Sequence, residues 1–296
     1  MAASPGTQEV QPAPLPMLER HRGTLDQALR DAVNHGEPGL VAMLRYHMGW
    51  VDQEGAPGGE STGKGLRPIL CLFACQAMGG DAARAMPAAV ALELIHNFSL
   101  IHDDIQDHDT ERHHRPTVWA IWDQPQALMA GNTMRLLANQ AALALTDRGV
   151  SPDMVSTVLA VLAARSLELI EGQYLDLSFE EHNEVRTIQY LDMVHRKTGA
   201  LMEAALHLGA YLGAGAPERV EALRRCGRLM GLAFQARDDF LGIWGETAMT
   251  GKAVGADIRR KKKSLPVVHA FQHASEEQRR RLQTLYQPQE LDDGAV

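Results

Sequence analysis

Four long stretches of this chain, Pro87 to His102, Val155 to Tyr174, Ile188 to Leu212 and Glu218 to Trp244, carry apolar residues at helical spacing, and alternating strand-like runs are scarce. From about Arg22 onward the sequence therefore predicts helix after helix. The breaks are local: Gln53-Glu54-Gly55-Ala56-Pro57-Gly58-Gly59, Gly79-Gly80-Asp81 and Gly213-Ala214-Gly215-Ala216-Pro217. In the last of them Gly213 suits the end of one helix and Pro217 the first turn of the next. There is no internal repeat at solenoid periods and no flexible interdomain linker. The pattern predicts an all-α, single-domain helical bundle over residues 22–296, after a flexible tail over 1–21 that is rich in Ala, Pro and Gln as far as about Pro16.

Into two of these apolar stretches are set pairs of aspartates, where lone carboxylates would be costly. The first reads His102-Asp103-Asp104-Ile105-Gln106-Asp107. At about 100° per residue Asp103 and Asp107 lie one turn apart on a single helix face, flanked by Asp104. The second reads Gln235-Ala236-Arg237-Asp238-Asp239-Phe240-Leu241-Gly242, and repeats the pair without the third carboxylate. Both pairs fall near the C-terminal ends of their helices, so neighbouring helices would bring them together at the mouth of a bundle. Hard oxygen ligands of this kind suit Mg²⁺, which is commonly shared between a few carboxylates and the phosphates of a substrate.

The 37 acidic and 29 basic residues leave a net charge of −8, which argues against a general nucleic-acid or anionic-membrane surface. An anionic ligand must be held by local clusters of cations. Lys64 and Arg67 form one, Arg112 and Arg115 a second, and Lys197, Lys252 and the run Arg259-Arg260-Lys261-Lys262-Lys263 follow. Cys71, Cys75 and Cys226 are an odd number, which fits a reducing compartment, and Cys71 and Cys75, one helical turn apart, are read as small buried helix residues rather than as a zinc half-site. The N-terminus has no signal-peptide pattern and no apolar run reaches membrane-spanning length, so the expectation is a soluble, cytoplasmic protein without a transmembrane segment.

Several motifs, in one order, carry a family resemblance. They are Gly63-Lys64-x-x-Arg67-Pro68, His96, Asp103-Asp104-x-x-Asp107, Arg112, Pro116-Thr117 and Gly172-Gln173-x-x-Asp176. After these come Lys197-Thr198-Gly199, Gln235-x-x-Asp238-Asp239 and Lys252-x-x-Gly255-x-Asp257. From about Gly63 to Pro266 the chain resembles the trans-isoprenyl diphosphate synthases, the farnesyl and geranylgeranyl diphosphate synthase family. Each motif alone is weak; together they are specific.

The resemblance implies a bundle with a central cavity and a Mg²⁺-dependent prenyltransferase that condenses an allylic diphosphate with isopentenyl diphosphate. Asp103, Asp107 and Asp238 would hold Mg²⁺ on the allylic diphosphate, with Asp104 and Asp239 completing the metal set. Arg112, Lys197 and Lys252 would bind the same leaving group, and His113 and Lys262 belong with the substrate-binding residues. Isopentenyl diphosphate would be held by Lys64, Arg67 and His96. Thr198, Gln235 and the Lys197 carbonyl would stabilise the allylic cation, and a homodimer is implied. Phe98, about 7.5 Å below Asp103 at roughly 1.5 Å rise per residue, would be either part of a cavity floor, favouring a short C15–C20 product, or ordinary core.

The pattern also departs from the family. Gly242 stands for a third aspartate, with Glu246 a turn further on as partial compensation, so Gly242→Asp is expected to raise turnover. His113 replaces a second arginine, Gly65 replaces an arginine the family often has, and the chain stops at Val296, before the family's last helices. These keep two alternatives open: a class I terpene cyclase on the same fold, and a weakly active subunit of a heteromeric synthase. His102, His108, His113 and His114 crowd the first motif without a closed zinc set; His113 and His114 are read as lining a phosphate channel.

Overall fold

The computed structural model describes residues 19–58, 65–180, 182, 184–245, 255–259 and 261–286. Its helices are α1 (Arg22–Val33), α2 (Pro38–His47), α3 (Leu66–Ala77), α4 (Ala82–Gln106), α5 (Val118–Trp122), α6 (Gln124–Leu143) and α7 (Pro152–Glu180). They continue as α8 (Thr187–Val194), α9 (Ala200–Leu212), α10 (Pro217–Trp244), α11 (Ala256–Arg259), α12 (Leu265–His273) and α13 (Glu276–Leu285). A hairpin of β1 (Glu111–Arg112) and β2 (Arg115–Pro116) is the one sheet among the described residues. The all-α expectation holds.

The helices lie close to where the periodicity puts them, and the differences have local causes. α4 begins at Ala82 rather than Pro87 because the Asp81 carboxylate accepts the Ala83 N–H at 2.9 Å, capping the helix a turn earlier. Gly213 and Pro217 stand at the end of α9 and the start of α10 as predicted. The stretch from Ile188 to Leu212 is not one regular helix: a π turn, His195–Gly199, separates α8 from α9.

The core sits where α3, α4 and α9 meet. α4 packs on α3 and α6, and α9 packs on α3 and α10. Leu72, Leu92, Leu94, Ile95 and Leu201 are fully buried there, each contributing about 1.5–3 kcal/mol by leaving water. Cys71 and Cys75 are buried in the same cluster and unpaired, and burial pushes both thiols up, so they act as small apolar residues. Two smaller clusters support the open end of the bundle. Phe179, Tyr190, Val194 and Val268 join α7, α8 and α12; Ile243, Val267 and Phe271 join α10 to α12. No helix among the described residues is long and apolar enough to cross a membrane.

Candidate active site

The two members of the first aspartate pair face different surroundings. Asp104 is buried, and its Oδ1 accepts Arg112 Nε at 2.8 Å and Arg112 Nη2 at 2.7 Å. Asp103 has no such clamp. Burial raises its carboxyl to about 6; Lys197 and Arg112 oppose that shift, while Asp107 and Asp176 add to it. Asp107 is the C-cap of α4, and its Oδ1 meets Gln173 Nε2 at 3.5 Å.

The second pair divides in the same way. Asp239 is buried, and donors engage both of its oxygens: Gln235 Nε2 at 2.8 Å on Oδ1, with Leu265 N at 2.6 Å and the Tyr190 hydroxyl on Oδ2. Gln235 in turn accepts the Thr198 hydroxyl at 2.8 Å. Thr198, Gln235 and Asp239 thus form one relay that ties the π turn to α10. Asp238, the other member, lines a cavity of about 500 Å³ together with Asp176, Lys197, Arg237, Gly242, Asp257 and Lys262.

Lys197 stands between the motifs. Its ammonium meets Asp176 Oδ2 at 2.5 Å; burial works against its charge, but Asp176, Asp103 and Asp107 outweigh that cost and raise its pKa. The π turn holds it there through backbone packing. A Cβ on Gly172 would come within 2.3 Å of Lys197 N, and one on Gly231 within 2.5 Å of Gly199 Cα. With a glycine on each side, α7 and α10 grip the turn directly. Such wide turns leave the regular hydrogen-bond ladder locally unmatched and recur at functional sites.

Beside this cavity lies a smaller one of about 80 Å³, lined by His47, Glu93, His96, Asn97, Asp104 and Arg112 among others. His113 lines both cavities. Burial and the neighbouring Arg67 and Arg112 hold His96 well below the usual histidine range, and burial with Arg112 lowers His47 to about 3, so both rings are neutral near pH 7. Arg67 Nε is buried without a hydrogen-bond partner, a donor ready for an anion. His113 and His114, at φ 51° and 60°, are the two central residues of the hairpin that presents Arg112.

Some sequence expectations meet a different geometry. Arg115 lines the smaller cavity, but its guanidinium is held by the fold: Nη2 donates to Val51 O at 2.8 Å and the group lies 4.2 Å from the Tyr46 ring centroid. The Asp104 and Asp239 carboxylates, expected in the metal set, are taken up by protein donors. Phe98 is buried, packs edge-on at 5.3 Å against His102, and lines neither of these two cavities. His114 also lines neither. Gly65 has φ 55°, a left-handed conformation that disfavours the expected arginine. Lys64, Lys252 and Glu246 lie outside the described residues. Asp176, Tyr190 and Glu93 were given no role by the sequence; Asp176 alone carried a signal, as the last residue of Gly172-Gln173-x-x-Asp176.

A divalent cation fits this donor set. Asp107 and Asp176 both raise the cost of ionising Asp103, and Lys197 and Arg112 are the described cations that oppose it. Among the described residues no three His, Cys, Asp or Glu side chains form a ready-made ligand group. A cation held by one or two of these carboxylates would complete its shell with water and substrate phosphate.

The polyprenyl synthetase family pattern matches residues 57–296. The (2E,6E)-farnesyl diphosphate synthase of Mycobacterium tuberculosis is 43% identical over 267 residues, 90% of this chain and 73% of that protein. A geranylgeranyl diphosphate synthase of the same organism is 38% identical over 260 residues, covering 88% and 73%. The crystal structure of a polyprenyl synthetase from Streptomyces coelicolor A3(2) superposes with a TM-score of 0.85 at 38% identity, over 91% of this chain and 78% of that one. A match of this extent, on a bundle that already gathers both aspartate motifs, shows that the chain belongs to the polyprenyl synthetase family and is an enzyme, a trans-prenyltransferase.

Proposed function

We propose that the protein is a Mg²⁺-dependent short-chain synthase that condenses an allylic diphosphate with isopentenyl diphosphate to a C15–C20 prenyl diphosphate. The observation that carries this reading is the position of Lys197, whose charge reaches Asp103 and Asp107 of the first motif while its side chain lines the same cavity as Asp238 of the second. A diphosphate set there meets carboxylates from both motifs through shared cations and meets Lys197 and Lys262 directly. Relatives named for farnesyl and geranylgeranyl products support the length class.

Bound Mg²⁺ would be held by Asp103, Asp107 and Asp238 and would neutralise the diphosphate, making it a better leaving group. Asp104 and Asp239 act through other side chains. The first holds Arg112, whose charge reaches Asp103, and the second fixes Gln235 and, through it, the Thr198 hydroxyl. Once the carbon–oxygen bond breaks, Gln235, Thr198 and the Lys197 carbonyl face the allylic cation. The alkene of isopentenyl diphosphate attacks that cation head to tail, and the departed diphosphate accepts the proton lost in forming the new double bond. Neutral His96 in the smaller cavity, and the orphaned Arg67 donor whose charge reaches that histidine, support a second diphosphate site, which a cyclase does not need.

Apolar side chains on two helices support a homodimer. Met129, Leu136 and Leu143 recur at seven-residue spacing on α6, and Leu167, Ile170 and Tyr174 at three and four on α7, all exposed.

The deciding experiment incubates purified protein with Mg²⁺ and geranyl or farnesyl diphosphate, with and without isopentenyl diphosphate. Elongation that depends on isopentenyl diphosphate is expected. A hydrocarbon or alcohol formed without it would sink this reading.

A further inference from the structure

Position 242 lies four residues, one helical turn, beyond Asp238, on the same face of α10. It is not vacant space. A Cβ built on Gly242 would stand 1.9 Å from Asp257 Oδ2 and 2.6 Å from Asp257 Cγ. The carboxylate of Asp257 therefore lies against the bare backbone of α10, where the first atom of a side chain at 242 would begin. Gly242 and Asp257 both line the large cavity with Asp238, Lys197 and Lys262.

The backbone holds Asp257 in this place. Gly255, at φ 72°, donates its N–H to Ile243 O at 3.2 Å, tying the start of α11 to the residue after Gly242. The Asp257 carbonyl then accepts Lys262 N at 2.9 Å, closing a loop whose lysine side chain enters the same cavity. Two carboxylates forced into one place would repel, so an aspartate at 242 and Asp257 in its present position exclude each other sterically and electrostatically.

We propose that Asp257 supplies the third carboxylate of the second acidic motif from α11, as an oxygen donor to the divalent cation on the Asp238 side, and that glycine at 242 admits it. The motif is then complete in space although its third member lies fifteen residues later in the chain than position 242. This reverses the expectation that Gly242→Asp raises turnover. It rests on the synthase reading, and its test can fail independently of that reading.

The test measures thermal stabilisation of the protein by inorganic diphosphate as Mg²⁺ is titrated. Stabilisation of the parent protein that requires both ions establishes that the site binds them; its absence would overturn the synthase reading and this proposal together. Given that binding, Asp257→Asn, which keeps the shape, is expected to raise the half-saturating Mg²⁺ concentration on the order of 10-fold or more. Gly242→Asp alone is expected to weaken Mg²⁺ binding, and the Gly242→Asp/Asp257→Ala pair to bring it back to within about threefold of the parent, a reciprocal rescue that a purely structural role would not give. Unchanged Mg²⁺ dependence in Asp257→Asn would overturn the proposal while leaving the synthase reading in place. That variant decides the matter if the Gly242 variants do not fold.

Discussion

Asp103 and Asp104 are neighbours of the same residue type, yet a rotation of about 100° gives one an arginine clamp and leaves the other toward Lys197 and Asp176. Their substitutions should differ accordingly. Asp103→Ala removes a proposed cation ligand and is expected to lower kcat/KM by about 10²-fold or more, since a metal's charge stabilisation amounts to several kcal/mol. Asp104→Asn and Asp239→Asn loosen residues that are aimed rather than bound, and steady-state kinetics should show losses of about 10- to 100-fold. The acidity of Asp103 gives a second check. Burial raises its carboxyl from 3.8 to about 6, so in that window the folded metal-free protein binds a proton that the unfolded chain releases. The contribution of Asp103 to metal-free stability falls as pH rises through the window, and Mg²⁺, which requires the ionised form, stabilises above it. Melting curves should show a clear Mg²⁺-dependent shift at about pH 7.5 and a much smaller one at about pH 5. The sequence singled out both aspartate pairs but not the division of labour within each. That division depends on which way each side chain points once Arg112 is presented by the hairpin and Arg115 is drawn off to Tyr46.

Among the elements, the long helices were legible because apolar periodicity is a property of the sequence itself, and their ends were legible where Gly213 and Pro217 marked them but not at Asp81, whose cap starts α4 before Pro87. The π turn at His195–Gly199 was not, because one extra residue in a turn leaves the periodicity on either side nearly intact. What enforces it is tertiary: α7 and α10 approach so closely that Gly172 and Gly231 have no room for a methyl group. Gly231→Ala is therefore expected to cost about 1–3 kcal/mol of stability by overpacking, read from urea unfolding. It should also lower kcat at saturating substrate in the protein that remains folded, because Lys197 and Thr198 shift with the turn.

At the scale of the whole molecule, the exposed stripes on α6 and α7 predict self-association. Light scattering should find a dimer at micromolar concentration, and Leu136→Arg, in the middle of the α6 stripe, should shift it toward monomer without unfolding it, since Leu136 is 64% exposed in the single chain. The overall negative charge read from composition is compatible with anionic substrates because Lys197, Arg237, Lys262 and Lys263 line the large cavity and Arg112 and Arg115 the smaller one. The two cavities there are not independent compartments. His113 lines both, as a shared wall. A ligand that moves this imidazole on filling one cavity alters the affinity of the other, and thermodynamic reciprocity requires the second ligand to return the same factor to the first. Calorimetric titration of one diphosphate with the other already bound should therefore give equal coupling in either order of addition, and His113→Ala should reduce it. Through this shared wall, how tightly one diphosphate binds comes to depend on whether the other is already seated.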